Sequence, residues 1–65
     1  MSTRRITAML QLDKNGAHCK RVFTATASGK SNDDADEVCW KKIRQAAIKY
    51  GAKEFTVRGF YMETL

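Results

Sequence analysis

The sequence predicts an α+β fold of the ββαβ type: a three-stranded antiparallel sheet in the order 2-1-3 with one helix packed on one face. Three observations carry it. Two stretches of alternating apolar residues flank an Asn-Gly pair, a serine-led stretch repeats its apolar residues at helical spacing, and a short apolar alternation closes the chain. With 65 residues there is room for one domain, residues 1–65, and for a core with little stability to spare.

Arg5 to Leu12 alternates, with Ile6, Ala8, Leu10 and Leu12 on one side and Arg5, Thr7, Met9 and Gln11 on the other, as in a half-buried strand. Asp13-Lys14-Asn15-Gly16 follows, and Asn-Gly favours a type I′ hairpin turn because both central positions need positive φ. His18 to Ala27 is the second strand, with Cys19, Phe23, Ala25 and Ala27 on its more apolar side. Parity decides the register. A two-residue loop pairs Lys14 with Ala17 and so brings Leu12 opposite Cys19, Ala8 opposite Phe23 and Ile6 opposite Ala25. A three-residue loop would set Leu12 against His18 and Leu10 against Lys20, and a one-residue slip turns every side chain over. The even loop leaves Arg21 on the inward face opposite Leu10, where a sheet edge lets its head snorkel to water.

Ser31 opens the helix, with Asp34 three residues on in a variant of the capping box. Ala35, Val38, Cys39, Ile43, Ala46, Ala47 and Tyr50 form one apolar stripe, and Gly51 is placed to end the helix. Glu54 to Met62 is the third strand. Phe55 and Val57 face the helix, Thr56 and Arg58 face away, and Gly59 marks a bulge or bend beyond which alternation no longer assigns Phe60, Tyr61 and Met62. A right-handed crossover from the second strand to the third makes the first strand central.

The formal charge of +5 suits nucleic acid, an acidic protein face or an anionic surface. It is unevenly spread. Residues 31–40 hold four acids and no base, whereas residues 41–65 hold six bases and two acids. Acids at the start of a helix and bases later match its macrodipole, so Asp33, Asp34, Asp36 and Glu37 read as helix electrostatics rather than a metal site. Cys19 and Cys39 fall on apolar faces and, with only His18 near, do not make a zinc set; reduced thiols in a cytosolic protein are expected. No long apolar run and no secretory signal is seen, so the expectation is a soluble cytoplasmic protein without membrane contact. His18 and Cys19 point to opposite faces of one strand, and the glycines are too dispersed for a phosphate loop. Neither catalysis nor a metal or cofactor is expected.

The candidate partner surface is the uncovered sheet face. It presents Arg5, Thr7, Met9, Gln11, Lys20, Val22, Thr24 and Thr26, to which the third strand adds Thr56, Arg58 and, depending on the bulge, Phe60. The functional reading is a basic, hydroxyl-rich interface with apolar contact from Met9 and Phe60; the plainer one is a solvated sheet face, where threonine is common. The second and third strands both carry open edges, so edge-to-edge pairing into a homodimer is a further option. Trp40, flanked by Lys41 and Arg44, sits beside the helical stripe and either covers the edge of a small core or, with Arg44, anchors a partner.

The run Phe23-Thr24-Ala25-Thr26-Ala27-Ser28-Gly29, the helix start Asn32-Asp33-Asp34-Ala35-Asp36-Glu37, the helix end Tyr50-Gly51 and the strand Phe55-Thr56-Val57-Arg58 follow one another in a layout that resembles small bacteriophage-encoded ββαβ inhibitor proteins. These include anti-CRISPR proteins and a podovirus inhibitor of host RNA polymerase. The resemblance implies a stoichiometric inhibitor that occludes a surface of a host protein or nucleoprotein complex without chemistry of its own. Arg58 matches by place the last-strand arginines that the polymerase inhibitor uses, whereas its acidic strip has no counterpart on this hairpin. The alternative, from another class, is a small basic domain that binds nucleic acid directly through the open sheet face.

Overall fold

The computed structural model describes residues 1–14 and 16–65. Four elements follow one another: β1 (Ser2–Lys14), β2 (Ala17–Gly29), α1 (Asn32–Lys49) and β3 (Glu54–Thr64). The strands form one antiparallel sheet in the order β2-β1-β3, the α+β ββαβ arrangement expected from the sequence. All three strands run farther than their apolar alternation, because backbone pairing continues to Ser2↔Gly29 at one end and Arg4↔Thr64 near it.

The β1–β2 register is the one an even loop dictates, with Lys14 opposite Ala17, Leu12 opposite Cys19 and Ile6 opposite Ala25. Gly16 has φ 82°, the left-handed conformation such a turn needs. The matching expectation for Asn15 lies outside the described residues. On the other side of β1, Leu10 pairs with Val57 but Met9 pairs with Gly59. Arg58 is therefore the extra residue of a β-bulge.

Both ends of α1 are closed by the backbone logic of helix termini. The Ser31 side chain accepts the Asp34 N–H at 3.2 Å from an extended N-cap. At the far end Gly51 turns at φ 105°, its N–H donates to the Ile48 carbonyl, and the Ala52 N–H donates to the Ala47 carbonyl at 3.1 Å. That pair of bonds is a Schellman motif, and Ala47 and Ala52 supply its buried apolar contact.

The core lies between α1 and the sheet. Ile6, Leu10, Leu12 and Ile43 are its large members, and small ones (Ala8, Ala25, Ala27, Ala35, Cys39, Ala47 and Ala52) fill the space between. The helical stripe is narrower than expected, because Val38 and Tyr50 are exposed. Both cysteines are free thiols. Cys39 is buried with its sulfur against the Arg4 carbonyl at 3.4 Å, and Cys19 is partly buried against the same core.

The helix packs on β2 and β1. No residue of β3 is fully buried; Phe55 packs against the edge of the core, and beyond it the strand overhangs the core. Two contacts tie its helix-side face to α1. The Trp40 and Phe60 rings meet edge to face at 5.2 Å, and Arg4 holds Asp36 at 2.9 Å while donating to the Thr64 hydroxyl. Trp40 thus covers the edge of the core, the first of its two readings, whereas Arg44 stays exposed on α1. Among the described residues, no helix is long and apolar enough to cross a membrane.

Candidate interaction face

Strand parity and the bulge together decide what the uncovered side of the sheet presents. Arg5, Thr7, Met9, Gln11 and Asp13 come from β1, and His18, Lys20, Val22, Thr24 and Thr26 from β2. From β3 come Glu54, Thr56, Arg58, Gly59, Tyr61 and Glu63. Of the residues expected here, Arg5, Met9, Gln11, Lys20 and Arg58 are in place. Phe60 is a correction. The extra residue at Arg58 shifts the alternation, so Phe60 pairs with buried Ala8 and its ring packs on Trp40 across the helix side. Tyr61 takes the open-face place instead, opposite Thr7 and 58% exposed.

The centre of this face is apolar. Met9 and Val22 are paired neighbours, Val22 is 60% exposed, and Gly59 on the other side of Met9 has no side chain. A shallow depression of about 380 Å³ results, bounded by Thr7, Met9, Val22, Arg58, Gly59, Phe60 and Tyr61. Gly59 does not have positive φ, and a Cβ there would meet nothing within 4 Å. The glycine therefore serves the hollow rather than the conformation of the bulge. Its role as a site element, like that of Tyr61, was not readable from alternation.

The charge of the face also differs from the basic plane expected. Arg5, Lys20 and Arg58 are matched by Asp13, Glu54 and Glu63, so the open side is neutral and the whole excess of +5 lies on the helix side and the turns. Asp13 and Glu54 could have been counted from parity; Glu63 could not, because the bulge precedes it. Arg5 and Glu63 form a two-bond pair, Nε to Oε1 at 3.0 Å and Nη2 to Oε2 at 2.9 Å. Those hydrogen bonds hold the Glu63 carboxyl below the ordinary carboxylate range and the Arg5 guanidinium above its own.

A pH effect follows with a definite sign. Because the folded-state pKa of Glu63 is lowered, the pair's contribution is complete above the unfolded carboxylate pKa and is lost as pH falls through the folded one. Arg5→Gln is expected to move the Glu63 titration midpoint upward in a carboxyl-resolved NMR titration. An unchanged midpoint would mean that the pair does not persist in solution. Both side chains are about two-fifths exposed, so added salt is expected to shrink the difference.

Among the described residues no three His, Cys, Asp or Glu side chains are placed to hold a metal ion. No family model matches the chain, and neither a curated protein nor a solved structure matches it.

Proposed function

We propose that this is a non-enzymatic binding protein that caps a partner protein with the open face of its sheet. The observation that supports this most directly is the exposed apolar group of Met9, Val22 and Tyr61 around the Gly59 hollow. An apolar centre within a polar rim is the anatomy of a protein interface. Here hydroxyls, the Arg5–Glu63 ion pair and the further charges Asp13, Lys20, Glu54 and Arg58 make that rim. Arg58 stands at the border of the hollow with no ion-pair partner among the described residues, which fits it to a carboxylate or backbone carbonyl of the partner. Charge balance favours a protein over a bare phosphate backbone on this side. In line with the phage-inhibitor resemblance, we take the partner to be a bacterial host protein, alone or within a nucleoprotein complex, that is blocked by occlusion. Such a role needs neither cofactor nor chemistry from this chain.

Filling the hollow tests the reading, because Gly59 tolerates a side chain. Tagged protein and its Gly59→Glu and Val22→Glu variants would be used to capture partners from a bacterial lysate, with quantitative mass spectrometry as the readout. The expected result is one partner retained by the parent chain and lost, by about 10-fold or more, from both variants, as for a central contact worth above 1.4 kcal/mol. A partner captured equally by all three would overturn the open face as the site. A retained species of twice the monomer mass would assign the contact to edge-paired copies of this chain instead.

A further inference from the structure

The charge that the open face lacks is gathered at the opposite side and one end of the molecule. Lys14 ends β1, Arg21 comes from β2, Lys49 is in the last turn of α1 and Lys53 follows it. The fold brings the first two together over Tyr50, the residue that follows Lys49. The Lys14 ammonium lies 4.8 Å and the Arg21 guanidinium 4.9 Å from the centroid of the same Tyr50 ring. The two charges are thus no farther apart than those distances laid end to end, about one Debye length at roughly 0.1 M salt. Gly51 lies against the Lys14 stem, and the Lys53 N–H donates to the Asp13 carbonyl, which ties the turn after α1 to the end of β1. Asp13 and Glu54, the acids nearest along the chain, turn to the open face. None of the four cations has an ion-pair partner among the described residues. The negative end of the helix dipole accounts for Lys49, but not for cations brought in from β1 and β2.

We infer that this end, formed by Lys14, Arg21, Lys49 and Lys53 about Tyr50, binds the phosphate backbone of double-stranded nucleic acid. Its composition separates it from a protein interface. Lysine is depleted from such interfaces, and the cluster offers no apolar anchor, since both cations already engage the Tyr50 ring. The same engagement leaves that ring unsuited to stacking with an unpaired base, so a single strand gains no more than its charge provides. The binding is sequence-independent, because nothing here is shaped to read base edges. It does not rest on the open face, and the two surfaces together would let the chain dock on a protein that is itself seated on nucleic acid.

Fluorescence anisotropy with a labelled duplex of mixed sequence tests this in the whole chain. Four phosphate contacts predict a log–log salt slope of about −3.6, so affinity should fall roughly 100-fold between about 50 and 200 mM salt. Lys49→Gln with Lys53→Gln removes two charges whose side chains make no hydrogen bond among the described residues, and should bring the slope to about −1.8. Gly59→Glu, on the other face, should leave the duplex titration unchanged while abolishing capture of a protein partner, so the two proposals fail separately. No binding at low salt would overturn the inference. So would a slope untouched by the lysine pair but reduced by Lys20→Gln with Arg58→Gln, which would return the site to the sheet. Tighter binding to polyglutamate or to a single strand than to the duplex would overturn it in favour of those partners.

Discussion

Leu10→Ala is expected to leave much of the protein unfolded at room temperature. Leu10 is fully buried on the central strand, one of four large aliphatic side chains in a core otherwise made of alanine and cysteine. Truncating a buried leucine costs about 2–5 kcal/mol, the spread depending on how far the site collapses. Collapse is limited here, because Leu10 sits on the central strand, paired on both sides, and the helix above it is fastened at both ends by its caps. A chain of this size is worth roughly 3–5 kcal/mol in all. The loss is thus of the same size as the whole, and urea denaturation followed by circular dichroism should show no complete folded baseline. Leu10→Met, which keeps the volume, should cost less than about 1.5 kcal/mol. A cooperative transition for Leu10→Ala within about 1 kcal/mol of the parent would contradict the packing described for β1.

The same small substitution at two glycines should act with opposite sign. At Gly29 an added Cβ would lie 2.7 Å from the Ala35 backbone nitrogen and 2.9 Å from the Asp34 Cβ, within the first turn of α1. These are not flexible tips. The helix start must lift from the sheet, which carries Ala35 out of the core, and Gly29→Ala should cost about 1–3 kcal/mol, toward the upper end. At Gly59 the added Cβ meets nothing and φ is not positive. Gly59→Ala removes freedom only from the unfolded chain and should be neutral or stabilising by up to about 1 kcal/mol. Melting temperatures of the two variants, measured side by side, should move apart by more than 4 °C. A shift in the same direction for both would show that the close approach of β2 to α1 is not as tight as described.

Most of the fold was legible because several local signals agreed. Asn15-Gly16 proposed an even loop, the apolar residues on both flanks demanded the same parity, and the observed pairs from Ser2↔Gly29 to Lys14↔Ala17 obey it. Even the misfit of Arg21 was readable, since a cation opposite Leu10 needs an edge, and β2 is one. The candidate face was legible on β1 and β2 but not beyond the bulge. A bulge adds one residue without announcing on which side of the glycine it falls, and Arg58 rather than Gly59 proved to be the extra one. That single count moved Phe60 beneath Trp40, brought Tyr61 and Glu63 to the open side, and with Asp13 and Glu54 turned a basic plane into a neutral one. The cluster about Tyr50 escaped notice for a different reason. Lys14 and Arg21 stand far in sequence from Lys49, Tyr50 and Lys53, and only the crossing of α1 over the end of the hairpin brings the two groups together.

The off-centre seat of α1 divides the molecule into parts of unequal permanence. Hairpin and helix share the packed interior, whereas the last strand is retained by its ladder to β1, the packing of Phe55 on the edge of the core, one aromatic edge contact and two arginine clasps. Such a segment opens at a lower free energy than the whole. A visitor that spans Met9 and Tyr61 would lay its own grip across that seam, so occupancy of the hollow and retention of the final strand become a single linked equilibrium.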